Sequence, residues 1–219
     1  MTPYSFLLEK IHHGFSPYSG FPAHQWGGTW YSDPGAMREI LRKCVNAVKP
    51  GGIIIEVGSF VGESAIFMAK CVKERRIDAA ILCVDTWYLG YDHWLGAPEK
   101  IRMHFGRPDL FYKFMANVVA SDCTDVIVPF AMDSVGAARV LKWMDVKADF
   151  IYVDASHEQG DAIRDYEAYW ELLSPGGRFL CDDWSRHFPG VMADGELFMQ
   201  RTGLRPVEIE GEKVLFIKP

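Results

Sequence analysis

Ile53-Ile54-Ile55-Glu56-Val57-Gly58-Ser59-Phe60-Val61-Gly62 is the stretch of sequence that decides the fold. It opens with an apolar, β-branched run that is typical of a strand covered on both faces. The two glycines allow a tight turn and a close approach of the backbone to a ligand. Residues 62–71 then carry apolar side chains at helical spacing. The stretch therefore predicts a strand, a ligand-binding turn and a helix in succession.

The same alternation of strands and helices continues to Asp183 and predicts an α/β, Rossmann-like fold. We expect a mostly parallel seven-stranded sheet with helices on both faces and, around Gly211-Glu212, a C-terminal antiparallel hairpin. The predicted strands are residues 53–57, 80–84, 125–130, 149–153 and 178–181, with hairpin strands 206–210 and 213–218. The predicted helices include residues 62–71, 134–144 with Ser134 as its cap, and 158–173, closed by the turn Ser174-Pro175-Gly176-Gly177.

Length and composition limit the class of protein. The 219 residues, 49% of them hydrophobic, suffice for a single domain over residues 1–219 with a packed core. A formal net charge of −6 without a Lys/Arg stripe argues against nucleic acid as a partner, and no apolar run is long enough for a membrane span. Five cysteines without C-x-x-C spacing, and no signal-peptide pattern, predict reduced thiols and a cytoplasmic location. Composition leaves a homo-oligomer open.

Two segments depart from the alternation. Residues 1–33 are rich in glycine, proline and aromatic side chains, and we interpret them as an N-terminal segment that caps the substrate. Asp33-Pro34 then predicts the start of a helix that runs to Val48. Residues 86–115 are interpreted as an aromatic-rich lid insertion, since long connections in compact domains are often lids. The alternative is that these aromatic side chains form the core of an inserted helix.

Acidic side chains stand where the predicted strands end, at Glu56, Asp85, Asp154, Asp182 and Asp183. Because the carboxyl ends of parallel strands line the ligand crevice, we expect these acids at one rim. The last three carboxylates would repel one another unless a cation compensates them. A hard divalent cation such as Mg²⁺ takes oxygen ligands and leaves room for substrate oxygens. The alternative is that one aspartate caps a helix and another pairs with an arginine.

His157 is predicted to be a catalytic base. It lies three residues after Asp154, and an imidazole can take a proton near neutral pH. The alternative is a capping or packing residue. His187, shortly after Asp183, is the second candidate.

Other residues indicate a nucleoside ligand. Asp85 is placed to accept hydrogen bonds from ribose hydroxyls, and Asp133-Ser134 is expected near an adenine amino group, with helix capping as the alternative. The spacing of Gly58 and Gly62 departs from the G-x-G-x-x-G of dinucleotide folds, and Glu56 suits an ammonium group better than a pyrophosphate. An NAD-dependent or nucleotide-sugar-binding oxidoreductase and a non-catalytic cofactor-binding protein remain alternatives.

Six motifs occur in order between Gly51 and Asp183: E-V-G-S-F-V-G-E-S, V-D-T-W, D-S, V-D-A-S-H, L-S-P-G-G and D-D-W. Together they resemble the class I S-adenosylmethionine-dependent methyltransferases, and among them the metal-dependent small-molecule O-methyltransferases, which include the catechol and macrolide-sugar enzymes. The Asp-Asp pair, where catechol enzymes carry Asp-Asn, favours the sugar-type group. The resemblance implies an enzyme that methylates a hydroxyl of a small-molecule acceptor, namely a sugar, polyol or natural product rather than a catechol.

The resemblance also implies roles for individual residues. Asp154, Asp182 and Asp183 match the metal ligands, and His157 falls where the family places its general base. The implied cofactors are S-adenosylmethionine and Mg²⁺ or another divalent cation. The implied cofactor-binding residues, from the methionine part through the ribose at Asp85 to the adenine beside Trp87, are Glu56, Gly58, Ser59, Phe60, Gly62, Ser64, Asp85, Thr86, Trp87, Asp133, Ser134 and Asp154.

Overall fold

A computed structural model describes residues 1–26, 37–96, 99 and 101–219. Its strands are β1 (Ile53–Val57), β2 (Ala80–Asp85), β3 (Met103–His104), β4 (Arg107–Pro108), β5 (Ile127–Ala131), β6 (Ala148–Val153), β7 (Leu173–Cys181), β8 (Glu208–Glu210) and β9 (Lys213–Ile217). Within the described residues, seven strands form one sheet in the order β5-β2-β1-β6-β7-β9-β8, and β3 pairs with β4 separately. β9 runs antiparallel to β7 and β8, and the other pairs in the large sheet are parallel. The predicted fold class is confirmed.

Helices cover both faces of this sheet. The α-helices of the described residues are α1 (Pro3–His12), α2 (Met37–Asn46), α3 (Glu63–Arg75), α4 (Tyr91–Gly96), α5 (Leu110–Ala120), α6 (Ser134–Trp143), α7 (Ala162–Trp170) and α8 (Pro189–Thr202), and all of these except α4 contribute to the two cores. Ile54 packs into one apolar core with α2, α3 and α5. Ile53 and Ile55 pack into the other, with α1, α6, α7 and α8. Alternate residues of β1 therefore serve opposite faces, which explains why the strand needs apolar side chains throughout.

The helix predicted for residues 158–173 is shorter in the structure. α7 begins only at Ala162, because Gly160 has a φ of +93°, which is not a helical conformation. The Asp194 carboxylate of α8 accepts hydrogen bonds from the N–H groups of Gly160 (2.7 Å) and Ile163 (3.1 Å). The N-cap residue, Asp161, makes no side-chain capping bond, so α8, which the sequence did not predict, supplies the acceptor for the first turn of α7.

The turn predicted at residues 174–177 lies inside β7, so that prediction was wrong. The pairing of β6 with β7 shifts register between Ala148 and Phe150, which accommodates the extra residues. Gly176 has a φ of +76°, and its N–H donates to the carbonyl of Lys218 (2.8 Å). The Ser-Pro-Gly-Gly segment is therefore an irregularity within β7, and it keeps its backbone hydrogen bonds to Lys218, the residue that follows β9.

The N-terminal segment packs along the β2–β5 side of the sheet. Leu7 is fully buried, and the Tyr18 hydroxyl donates to the carbonyl of Ile127 in β5 (3.1 Å). Trp26 stacks on Tyr112 of α5, with ring centroids 4.4 Å apart. Residues 27–36 lie outside the described residues, including the helix start predicted at Asp33-Pro34. The role of residues 1–33 as a substrate cap stays a prediction.

Among the described residues, no helix combines the length and apolar character needed to cross a membrane. All five cysteines are buried and free.

Candidate active site

A cavity of about 310 Å³ opens at the carboxyl ends of the parallel strands. Its walls are the turn after β1, the segment after β2, the start of α6 and the residues that follow β6. The volume is within the range of small-molecule pockets, about 300–1,000 Å³. Eight of the residues predicted for the site line this one cavity: Gly58, Phe60, Asp85, Thr86, Asp133, Ser134, Asp154 and His157.

Gly58 lets two strand ends approach each other closely. Its φ is +89°, and a Cβ atom there would lie 1.9 Å from the carbonyl oxygen of Asp154. The Gly58 N–H also donates to the carbonyl of Val84 (2.9 Å). Only glycine fits this conformation and this space, so the residue joins the ends of β1, β2 and β6 into one cavity floor.

Asp85 ties together the two loops at its end of the cavity. Its carboxylate accepts hydrogen bonds from the N–H of Phe60 (2.8 Å) and from the N–H of Trp87 (2.6 Å). Burial raises the pKa of the Asp85 carboxyl, and these backbone N–H groups oppose the rise. The predicted contact of Asp85 with a ribose stays a prediction, but the carboxylate does lie on the cavity.

Asp133 and Ser134 both lie on the cavity, and their capping roles differ from the prediction. The Asp133 carboxylate accepts a hydrogen bond from the N–H of Gly136 (2.7 Å), so Asp133 is the N-cap of α6 and Ser134 is its first residue. An aspartate in an extended conformation before a helix is a preferred cap, because it satisfies a backbone donor of the first turn.

Five predicted cofactor residues are absent from the cavity lining: Glu56, Ser59, Gly62, Ser64 and Trp87. Glu56 is fully buried, and the Ser64 hydroxyl donates to its carboxylate (2.5 Å). Burial raises the pKa of Glu56 to about 7, and the hydrogen bond from Ser64 opposes the rise. Glu56 therefore supports the turn from behind, and its predicted contact with a ligand's ammonium group stays a prediction.

Trp87 is a core residue, and its expected place beside an adenine stays a prediction. It has no exposed surface and packs against Phe111 and Phe114, with ring centroids 4.9 and 4.8 Å away. Its indole N–H donates to the carbonyl of Phe60 (2.8 Å). Beside Phe60, the apolar cavity wall includes side chains that were not singled out from the sequence, among them Leu89, Leu110 and Met132.

His157 and Asp183 are paired at the other end of the cavity. The distance from His157 Nε2 to Asp183 Oδ2 is 2.8 Å, and the imidazole packs on the ring of Phe188 at 4.3 Å. Asp183 has a φ of +59°, a strained conformation of the kind found at functional sites. His187 is exposed and does not line the cavity, so the structure favours His157 as the site histidine.

Asp154 completes a group of three possible metal-binding side chains. One ligand atom from each of Asp154, His157 and Asp183 lies within 4.8 Å of the others. Burial, and then the neighbouring carboxylates of Asp182 and Asp183, raise the pKa of Asp154 well above its usual range. The site is therefore one where a bound cation would stabilise the ionised aspartate.

Asp182 is held differently from its neighbours. One oxygen contacts Lys213 Nζ and the Tyr152 hydroxyl, and the other accepts a hydrogen bond from the N–H of Asp183 (2.9 Å). Lys213 is only 1% exposed. The sequence analysis missed both Tyr152 and Lys213, because only the antiparallel register of β9 on β7 brings the lysine to Asp182.

The comparison with protein families identifies the class of protein. A methyltransferase-domain family matches residues 55–184, which contain all the residues that line the cavity. The chain belongs to this family. The resemblance to the class I S-adenosylmethionine-dependent methyltransferases is confirmed, and the protein is an enzyme of that class. No curated protein matches the chain in the sequence comparison.

Solved structures share the fold of this methyltransferase at low sequence identity. The calicheamicin methyltransferase CalS11 is 19% identical, with a TM-score of 0.59 over 83% of this chain and 77% of that one. The O-methyltransferase TomG from Streptomyces achromogenes, in complex with SAM, is 13% identical, with a TM-score of 0.59 over 98% and 96%. The O-methyltransferase NovP is 13% identical, with a TM-score of 0.55 over 99% and 95%.

The residues of the methyltransferase cavity fit both implied groups. For a nucleoside cofactor, Asp85 and Asp133 place carboxylates at the ends of β2 and β5, where hydroxyl and amino donors can be bound. For a divalent cation, Asp154 and Asp183 supply hard oxygen ligands close together. The ligand role predicted for Asp182 stays a prediction, since both of its oxygens already have partners in the protein.

Proposed function

We propose that this methyltransferase transfers a methyl group from S-adenosylmethionine to a hydroxyl of a small molecule, assisted by a divalent cation. The observation that carries the proposal is the continuity of the cavity. Asp85 ends β2 and Asp133 follows β5, Asp154 and His157 follow β6, and Gly58 lies between them at the end of β1, all on the same space. A bound donor and a bound acceptor can therefore meet without leaving the protein, which is the requirement for direct group transfer.

His157 is the base of the proposed reaction. When S-adenosylmethionine is bound, its sulfonium supplies an activated methyl group. The acceptor oxygen bonds to the methyl carbon as the carbon–sulfur bond breaks, and the hydroxyl proton passes to His157. Asp183, 2.8 Å from Nε2, stabilises the resulting imidazolium and holds the ring orientation, and Phe188 packs against the ring.

Asp154 and Asp183 are the residues we expect to hold Mg²⁺ or another divalent cation. Such an ion would lower the pKa of the acceptor hydroxyl and orient neighbouring acceptor oxygens. The charges support this assignment. The three aspartates and Lys213 carry a formal charge of −2, so a dication brings this end of the cavity to neutrality.

A sugar, a polyol or another hydroxylated natural product is the proposed acceptor class. CalS11 is described as a TDP-rhamnose 3′-O-methyltransferase of calicheamicin biosynthesis, and TomG takes part in tomaymycin synthesis. The Asp-Asp pair at residues 182–183 adds to this from the sequence. We further expect a cytoplasmic location and no nucleic-acid partner, as the composition predicts.

Calorimetry separates this proposal from its alternatives. The protein is titrated with S-adenosylmethionine, with its demethylated product S-adenosylhomocysteine and with NAD, each with and without Mg²⁺. We expect binding of both adenosyl compounds and none of NAD. Tight NAD binding would support the oxidoreductase alternative and overturn the proposal.

A panel of hydroxylated acceptors with labelled donor then tests the transfer itself. We expect methylation of at least one sugar or polyol, loss of that activity with EDTA, and its return with Mg²⁺ or Mn²⁺. Activity that is indifferent to the chelator would remove the cation from the proposal and leave His157 and Asp183 as the acting groups.

A further inference from the structure

Lys213 lies buried beneath the acidic end of the cavity. Its ammonium group donates to the Tyr152 hydroxyl (2.9 Å) and contacts the Asp182 carboxylate. The Tyr152 hydroxyl in turn donates to Asp154 Oδ2 (3.1 Å) and contacts Asp182, so the two carboxylates share its one proton. Lys213 and Tyr152 are 1% and 2% exposed. The Lys213 ammonium group therefore contacts Asp182 directly and is connected to Asp154 through the Tyr152 hydroxyl.

The position of this lysine is fixed by the sheet. Cys181 of β7 pairs with Val214 of β9, which sets Lys213 beside Asp182 at the end of the pairing. The carbonyl of Glu212 accepts a hydrogen bond from the N–H of Trp184 (2.8 Å), which extends the contact past the acidic pair. The ammonium group cannot leave Asp182 without unpairing from two buried partners, so exchange for a metal ion would be costly.

Asp154 and Asp183 contrast with Asp182. Among the described residues, Asp154, His157 and Asp183 form the group of possible metal ligands, and Asp182 is not part of that group. Both oxygens of Asp182 have partners within the protein. The acidic end therefore has two carboxylates grouped with His157 and one that pairs with the lysine.

We propose that Lys213 is a positioning residue for the divalent cation. It stays paired with Asp182 when the cation binds, and through the Tyr152 hydroxyl it orients Asp154 as a ligand. Asp182 then acts as the partner of Lys213, in place of the ligand role that the sequence predicted for it. This inference rests on the cation of the proposed function. The rival possibility is that Lys213 competes with the cation and yields Asp182 to it.

The two possibilities predict opposite changes in Mn²⁺ affinity when Lys213 is replaced. Mn²⁺ affinity is measured by electron paramagnetic resonance on the full-length protein for the wild type, Lys213→Met and Tyr152→Phe. Since partners that orient metal ligands typically contribute about 10–100-fold to affinity, a positioning role predicts that both variants bind Mn²⁺ about 10–100-fold more weakly. A competing lysine predicts tighter binding by Lys213→Met and tighter or unchanged binding by Tyr152→Phe. Either of those results would overturn the proposal.

Tyr152→Phe keeps the test decisive if Lys213→Met does not fold, because it leaves the Lys213–Asp182 pair in place. Tyr18→Phe is the matched control, since it also removes a buried hydroxyl, one that donates to a backbone carbonyl at the far strand β5. We expect its Mn²⁺ affinity to equal that of the wild type. A Tyr152→Phe affinity equal to that of Tyr18→Phe would also refute the positioning role.

A failure of this inference can be distinguished from a failure of the proposed function. S-adenosylmethionine binding, measured by calorimetry on the same variants, should be unchanged. A wild type that binds S-adenosylmethionine but not Mn²⁺ would refute this inference and leave methyl transfer standing. Mn²⁺ binding that responds as expected, in a protein that does not bind adenosyl compounds, would support the inference and refute the proposed donor.

Discussion

Replacing His157 by alanine tests the proposed chemistry most directly. The variant removes the imidazole that pairs with Asp183 at 2.8 Å and that lines the cavity beside Asp154. It leaves Asp85, which ends β2 on the far side of β1, untouched. We therefore expect S-adenosylmethionine to bind as before while the turnover number falls.

The size of the loss follows from the exposure of the site. A positioned general base typically contributes about 10²–10⁴-fold to a rate. The His157 side chain is 36% exposed, so solvent water can take over part of the proton transfer in the variant. The lower end of the range applies, and we expect a loss of about 100-fold, which corresponds to about 2.7 kcal/mol in the activation free energy.

The assay is transfer of a labelled methyl group under saturating donor, with calorimetry to measure donor affinity. His187→Ala is the control, because His187 is an exposed histidine near the same loop that does not line the cavity. We expect it to keep wild-type turnover. Equal turnover of the two alanine variants would refute the assignment of His157 as the base, whatever the affinity for the donor.

Three further predictions concern the support of the site. Burial raises the pKa of Glu56 from 4.5 to about 7, so the folded state binds the extra proton and stability falls as pH rises between those values. Glu56→Gln should make the loss of stability between pH 5 and pH 8 smaller in urea unfolding, while the raised pKa values of Asp85 and Asp154 keep part of the loss in place. Asp194→Ala should cost about 1–3 kcal/mol of unfolding free energy, because two N–H groups at the start of α7 lose their acceptor. Gly58→Ala should abolish donor binding in calorimetry without a comparable loss at Gly20→Ala, where a Cβ meets no atom within 4 Å.

The strand-end acids were predictable from the sequence because parallel strands bring their carboxyl ends to one edge. β1 has the predicted bounds, Ile53–Val57, and the observed cavity joins Asp85, Asp133 and Asp154 from three other strand ends. This part of the site depends only on the order of elements along the chain. Local patterns are sufficient for such a prediction.

The supporting residues were not predictable in the same way. Lys213 reaches Asp182 through the register of β9 on β7, and Asp194 reaches the start of α7 through the packing of α8. Trp87 turns into the core because α5 offers two aromatic rings to it. Each of these contacts joins residues that are distant in sequence or lie on separate elements, and no local pattern encodes the pairing.

Backbone strain at Phe60 and Trp87 indicates what Asp85 contributes to the cavity without a ligand. Phe60 and Trp87 both have left-handed backbone conformations, with φ of +45° and +52°, and such conformations cost about 1–3 kcal/mol each. Both N–H groups donate to the Asp85 carboxylate, and hydrogen bonds to a charged acceptor contribute about 1.5–3 kcal/mol each. The two contributions are of equal size, so one carboxylate offsets the strain of both loops. Asp85 therefore sets the shape of the cavity, and a ligand that bound it would meet walls already in place.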